Sequence, residues 1–131
     1  MDHHDCPFCD LEKSRILLEN EFAAAFLDGF PVAEGHTLVV PKKETDYIFD
    51  IDADMHQRFW NFARTVALGI EKTIPCKRIG IAVIGLEVPH AHIHLIPMNH
   101  VSDMNFARPK LSFPNEEMEA TAFAIRREIK L

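Results

Sequence analysis

The sequence predicts an α+β fold, an antiparallel sheet with one long helix and a C-terminal helix. Three features of the chain point there. Short apolar or β-branched runs are bounded by Gly, Pro and Asp, the punctuation expected of strands. From Asp52 onward one stretch repeats its apolar residues at helical spacing. Around residues 90–97 histidines alternate with apolar side chains, the period-two pattern of a strand with two different faces.

Residues 10–18 mix polar and apolar types, and one or two helical turns are expected there. Residues 22–27 are continuously apolar and end at Asp28-Gly29-Phe30-Pro31. So short a run followed by Gly and Pro reads as a buried strand with Asp28 at its end. His36-Thr-Leu-Val-Val-Pro41 follows Gly35, is β-branched and stops at proline, which makes it the next strand, antiparallel to the first. That pairing places His36 near Asp28. Asp52 is a candidate N-cap for a helix whose Met55, Phe59, Phe62, Ala63, Val66, Ala67, Ile70 and Ile74 form one apolar face, with Pro75 as the stop. Residues 79–84 read as a third strand, 85–89 as a tight connection and 90–97 as a fourth strand. Antiparallel strands joined by a long helix make an α+β architecture. Residues 99–114 read as irregular. Asn115 is expected to cap a last helix over about 115–130, with Met118, Ala122, Ile125 and Ile129 as its apolar stripe. Glu116 and Glu117 sit at the positive end of its dipole and Arg126, Arg127 and Lys130 at the negative end.

A chain of 131 residues has the size of one domain, and a single domain over 1–131 is expected. Hydrophobic residues at 47% and charged residues at 26% supply an ordinary globular core. No apolar run approaches the length that spans a bilayer, and the polar start Met1-Asp2-His3-His4-Asp5 lacks the features of a secretory signal. A cytoplasmic location without membrane association is therefore expected. A net charge of −6 without a Lys/Arg stripe argues against a nucleic-acid partner, which needs positive potential to displace counterions. Three cysteines do not make a disulfide framework; Cys76 reads as a lone buried thiol.

The segment His90-Ala91-His92-Ile93-His94-Leu95-Ile96 carries the chemistry. Period two puts the three imidazoles on one face and sends Ala91, Ile93 and Leu95 into the core. One histidine on a strand is ordinarily a satisfied or exposed side chain. Three in strict alternation ask for another reason, because imidazole is the side chain whose unperturbed pKa suits a nucleophile, base or acid near neutrality. His3, His4, His56 and His100 read as surface residues.

This segment resembles the signature of the histidine-triad (HIT) family. Ala25-Phe-Leu-Asp-Gly-Phe-Pro31 followed by Gly35-His-Thr-Leu-Val-Val-Pro-Lys42 is similar to the family's other hallmark, and residues 6–98 carry the likeness. The resemblance implies a HIT-like fold, a homodimer formed through the long helix and its neighbouring strand, and a purine nucleotide substrate. By position it makes His92 the nucleophile that attacks the α-phosphate, gives His94 the phosphate and leaving-group contact, and makes His90 and His36 supporting residues. Asp28 would hold the ribose, and Phe26 and Leu38 would wall the base pocket. A nucleotidyl-histidine intermediate divides one hydrolysis into two substitutions, with the Gly85 turn offering N–H groups to the transferring oxygens. For this route His92 needs a hydrogen-bond acceptor on its other ring nitrogen.

Leu86 and Glu87 stand where the family usually has Gln and Ser or Thr, and Ile79 stands at the position of a ribose-binding Asn. Glu87 at the nucleotide site would turn away, pair with a cation, or act on the leaving group. These departures bear on leaving-group preference rather than on attack by His92. The family's structural zinc site maps onto Cys6, Cys9, His90 and Glu44, with glutamate in place of a histidine. Structural zinc prefers thiolate and imidazole; two unligated thiols are the alternative, and His3 or His4 offer substitutes for Glu44. Zinc is not required for the chemistry. The expected activity is that of a nucleotide phosphoramidase or a dinucleoside polyphosphate hydrolase or nucleotidyl transferase. The alternatives are a nucleotide-binding interaction module with weak catalysis, and a zinc-binding protein using the triad itself.

Overall fold

Two sets of side chains leaving the sheet in opposite directions divide it into a helix-covered face and a face that carries a histidine. The computed structural model describes residues 13–131. Its strands are β1 (Ile16–Glu19), β2 (Ala23–Leu27), β3 (Thr37–Pro41), β4 (Arg78–Ala82) and β5 (Ile93–Met98), and its α-helices are α1 (Ala53–Thr73) and α2 (Asn115–Glu128). The sheet order is β1-β2-β3-β5-β4, antiparallel throughout.

The predicted antiparallel pair is β2 with β3, in register from Ala23 opposite Pro41 to Leu27 opposite Thr37. Ala23, Ala25, Leu27, Val39, Ile93 and Leu95 point to one side, where Phe59, Phe62, Ala63, Val66 and Ile70 of α1 meet Met118, Ala122 and Ile125 of α2. The alternate residues Ala24, Phe26, Leu38 and Val40 form a separate buried cluster with Ile16. Directly paired residues share a face, so Phe26, Leu38, His94 and Ala82 lie in one row across four strands.

Helix α1 begins as predicted, with the Asp52 carboxylate accepting the Met55 N–H at 3.0 Å. It ends at Thr73, before Ile74 and Pro75. Among the described residues no helix is long and apolar enough to cross a membrane.

Four boundaries differ from expectation. Helical turns are expected over 10–18; in the described part of that stretch Lys13–Arg15 forms a 3-10 turn and Ile16–Glu19 becomes edge strand β1. A register break between Ile16 and Leu18 interrupts its pairing with β2, and such a bulge hides the alternation by which a strand is read. The third strand stops at Ala82 rather than Ile84, and the fourth starts at Ile93 rather than His90. Both follow from one bond: the Ala91 N–H donates to the carbonyl of Thr45 at 2.7 Å, drawing the chain off the sheet before Ile93. Asn115 is the first residue of α2 and not its cap; Pro114 holds that position without a side-chain bond, and the Asn115 side-chain oxygen accepts from Arg15 at 2.8 Å. Cys76 is half-buried rather than buried, and desolvation first, then the nearby Glu71 charge, raises its thiol pKa.

Gly69 of α1 lies against Ile129, the residue that follows α2. A Cβ there would lie 2.5 Å from Ile129 Cγ1 and 3.3 Å from both the Ile129 Cα and its backbone nitrogen, so rotating the Ile129 side chain cannot relieve the contact. Alanine would gain about 1 kcal/mol of helix propensity over glycine, while overpacking a core contact costs about 1–3 kcal/mol. Gly69→Ala is therefore expected to lower the urea midpoint; a midpoint that rises would show that the end of α2 yields without cost.

Candidate active site

Four histidines converge where β3 and β5 begin, and each uses at least one ring nitrogen on a fixed partner. All are buried, His36 and His90 at 2% exposure, His92 at 7% and His94 at 9%. Of the triad, only His94 lies in the sheet ladder, opposite Leu38 and Ala82. His90 and His92 precede it, which corrects the expectation of three imidazoles on one regular strand. The inward half of the alternation persists, since Ala91, Ile93 and Leu95 all reach the helix-covered core.

The partners fix the tautomers. A carbonyl only accepts, so His90 donates through Nε2–H to the Pro41 carbonyl at 2.7 Å. His92 likewise donates through Nδ1–H to the carbonyl of His90 at 2.8 Å. In the neutral His92 ring the lone pair is then on Nε2. This is the acceptor that the nucleophilic reading requires. The Val32 backbone N–H donates to His36 Nδ1 at 3.0 Å, which puts the His36 proton on Nε2. That proton is directed at His94 Nδ1, 2.9 Å away, with an Asp28 carboxylate oxygen at 3.4 Å. Neutral His94 consequently carries its own proton on Nε2. The His92 and His94 rings meet edge to face, their centroids 4.9 Å apart.

Burial, then the charge of Lys110 and of His92, lowers the His36 pKa from 6.5 to about 4. For His94, burial is again the first cause, followed by His36 and His92, and the result is also about 4. Both rings are neutral at pH 7, as their shared hydrogen bond requires.

Asp28, His36 and His94 also place three donor atoms within 4.8 Å of one another. A cation there would need the lone pair of His36 Nε2, but the Val32 N–H occupies Nδ1 and leaves the proton on Nε2. Protons, not a metal, suit this cluster. His90 and His92 do not join this group of donor atoms among the described residues.

Asp28 keeps its role as a turn former, accepting the Phe30 N–H at 2.9 Å through its other oxygen. His92 lines a cleft of about 450 Å³ together with Gly85, Val83 and Ile84 after β4, and with Tyr47, Phe49, His56 and Trp60 opposite. Gly85 takes φ +71° there, a conformation that glycine adopts without strain. Phe26 and Leu38 do not line this cleft; they share the row of His94. Glu87 is exposed in the loop before the triad and makes no ion pair or hydrogen bond among the described residues. Glu44 is half-buried, one residue from the Thr45 carbonyl that holds Ala91 beside His90. The predicted ligands Cys6 and Cys9 lie outside the described residues, as do His3 and His4. Of the supposed surface histidines, His56 accepts from the Trp60 indole at 3.2 Å and borders the cleft.

Sequence reasoning missed residues 99–114 as a contributor. Phe106 puts its ring 4.8 Å from that of His94 and 6.2 Å from that of His36, edge-on to both. No periodic pattern marks this segment, and a lone aromatic in an irregular stretch gives no local signal.

Residues 11–101 match the family model described as the HIT domain. The chain belongs to the HIT domain family. It is 38% identical over 101 residues to an uncharacterized HIT-like protein of Mycoplasma genitalium, covering 70% of this chain and 72% of that one. It is also 34% identical to the adenosine 5'-monophosphoramidase of Saccharomyces cerevisiae, over 70% of this chain and 61% of the yeast protein. The crystal structure of a hypothetical histidine triad nucleotide-binding protein from Sulfolobus tokodaii superimposes with a TM-score of 0.74 at 28% identity, covering 88% of this chain and 83% of that one. A zinc-bound histidine triad protein from Mycobacterium smegmatis, 23% identical, shares the fold with a TM-score of 0.78 over 96% of each chain.

The low pKa values have a consequence for the stability of this HIT chain. An unfolded histidine takes up its proton near pH 6.5, whereas His36 and His94 in the folded chain resist protonation down to about 4. The unfolded state thus binds more protons between these limits, and folding stability falls as pH drops through that window. The loss should amount to a few kcal/mol, on the order of one pKa unit per 1.4 kcal/mol for each ring. Urea midpoints at pH 7.5, 6 and 5 should decline in that order; a flat profile would mean that these rings are not buried neutral.

Proposed function

We propose that the chain hydrolyses or transfers purine nucleotides at the α-phosphate through a covalent nucleotidyl-His92. The observation that carries this reading is the hydrogen bond from His92 Nδ1–H to the His90 carbonyl, in a ring that borders a 450 Å³ cleft. It leaves the Nε2 lone pair to attack, and the cleft has the volume of a small-ligand site.

His92 Nε2 bonds to the α-phosphorus as the bond from phosphorus to the leaving group breaks. The Nε2–H of His94 donates a hydrogen bond to the leaving group, which takes its proton from solvent water as it departs, and the His36 proton, shared with His94 Nδ1, holds that ring in the donating tautomer. Water then cleaves the bond between phosphorus and His92: its oxygen bonds to phosphorus, its proton leaves to solvent, and the electron pair of the broken bond returns to Nε2 of the ring. Gly85 brings its backbone to the cleft beside His92, where an N–H meets phosphoryl charge. Asp28 would hold the ribose and Phe26 and Leu38 the base along the row of His94, outside the cleft that His92 borders. Phosphoramidates and dinucleoside polyphosphates both fit this scheme; the yeast relative's phosphoramidase activity and the Schizosaccharomyces pombe relative's bis(5'-nucleosyl)-tetraphosphatase activity favour them over other nucleotides.

The same reading includes a cytoplasmic homodimer. Edge strand β4 presents Ile81 at 53% exposure, and α1 exposes Leu68. Structural zinc would draw on Cys6, Cys9, His90 and Glu44. His90 fits this set, because its Nε2–H is spent on Pro41 and Nδ1 keeps the lone pair; Glu44 fits by its place beside the same segment. Zinc there would stabilise the fold and take no part in the transfer.

Quenched incubation with adenosine 5'-phosphoramidate, followed by intact-mass measurement, should show an adenylylated wild type and no adduct on folded His92→Ala. Equal turnover by the two proteins, with AMP binding intact, would replace the enzyme with a nucleotide-binding module.

A further inference from the structure

Residues 99–114 form a strap that is fixed across the histidine cluster. It begins with Asp103, whose carboxylate accepts the Asn99 and His100 N–H groups at 2.8 and 2.9 Å. Arg108 donates to the Val32 carbonyl at 2.9 Å, and the Leu111 N–H donates to the Pro31 carbonyl at 2.8 Å. Between these anchors Phe106 packs on His94 and His36. Lys110 donates to the Phe106 carbonyl, and its ammonium stands 5.7 Å from the Phe106 ring centroid. The cation is exposed, and among the described residues no carboxylate pairs with it. Its charge nevertheless reaches both rings, opposing protonation of His36 and His94.

A lysine held over Phe106, whose ring packs on neutral His94 and His36, with donors left for another partner, is an anion site in waiting. The loop before the triad supplies no such charge, since Leu86 is 88% exposed and apolar and Glu87 is acidic. The segment that matches the family ends at residue 101, before Phe106 and Lys110. We propose that the strap completes the nucleotide site, with Lys110 binding the substrate's phosphate oxygens and Phe106 holding the His94 ring beneath them. This inference rests on the nucleotide-site reading above and adds to it a preference for the more anionic substrate: a polyphosphate chain gains more from Lys110 than a single phosphate bearing an uncharged amine.

Calorimetric titration with AMP, ADP and adenosine tests the inference without turnover. In Lys110→Gln the AMP affinity should fall about tenfold and the ADP affinity by more, while adenosine, which has no phosphate, should bind as it does to wild type. Lys110→Arg should restore AMP binding, and raised salt should narrow the gap between wild type and Lys110→Gln. Unchanged AMP binding in Lys110→Gln, an equal loss for adenosine, or a wild type that does not bind AMP would each overturn the proposal. Adduct formation at His92 is a separate readout: phosphate-specific loss in Lys110→Gln without any adduct in wild type would keep the cation site and remove the covalent chemistry.

Discussion

The histidine site depends on the chain leaving the sheet one step before it would otherwise join it. The Ala91 N–H, bonded to Thr45 at 2.7 Å, holds residues 90–92 away from the ladder that starts at Ile93. A carbonyl within an antiparallel ladder is consumed by the neighbouring strand. Outside the ladder, the His90 carbonyl accepts from the ring of His92. One backbone bond thus sets where β5 starts, which tautomer His92 takes and which nitrogen carries its lone pair. Regular β-structure through His90 would have paired the backbone and left the ring of His92 without this acceptor.

Burying four imidazoles beside an apolar sheet face carries a desolvation cost that partners must offset. Among the described residues no buried side-chain nitrogen or oxygen lacks a partner. The route from the Val32 amide through His36 to His94 needs each ring to donate at one nitrogen and accept at the other, which only the neutral form does. Low pKa and hydrogen-bond direction are therefore the same constraint seen twice. A chain of net charge −6 would tend to favour protonation, and local burial with Lys110 outweighs that long-range field.

Much of this was legible in the residues. The 22–27 and 36–41 runs gave β2 and β3, and their antiparallel pairing brought Asp28 to His36. Helix α1 was readable from Asp52 to Pro75 because its apolar period is strong and both ends are marked. Strand β1 was not, because its bulge breaks alternation in four residues. The triad's alternation was read correctly for Ala91, Ile93 and Leu95, yet extended too far into the ladder, since side-chain alternation continues where backbone pairing has stopped. Phe106 and Lys110 were invisible for a different reason. Their contact with the histidines is made by a loop folded back over the sheet, and tertiary proximity of that kind leaves no period to count.

The surroundings of His92 and His94 differ, and the difference suits different tasks. His92 opens onto a cleft lined with Tyr47, Phe49 and Trp60, whereas His94 is covered by Phe106 and tied to His36. A nucleophile needs access to phosphorus, and a group that passes on a proton needs a fixed tautomer more than it needs space. Two identical side chains, 4.9 Å apart between ring centroids, are set in different surroundings by what lies against each. Phe106 of the strap makes the pair's surroundings unequal, and it lies beyond the stretch that matches the family.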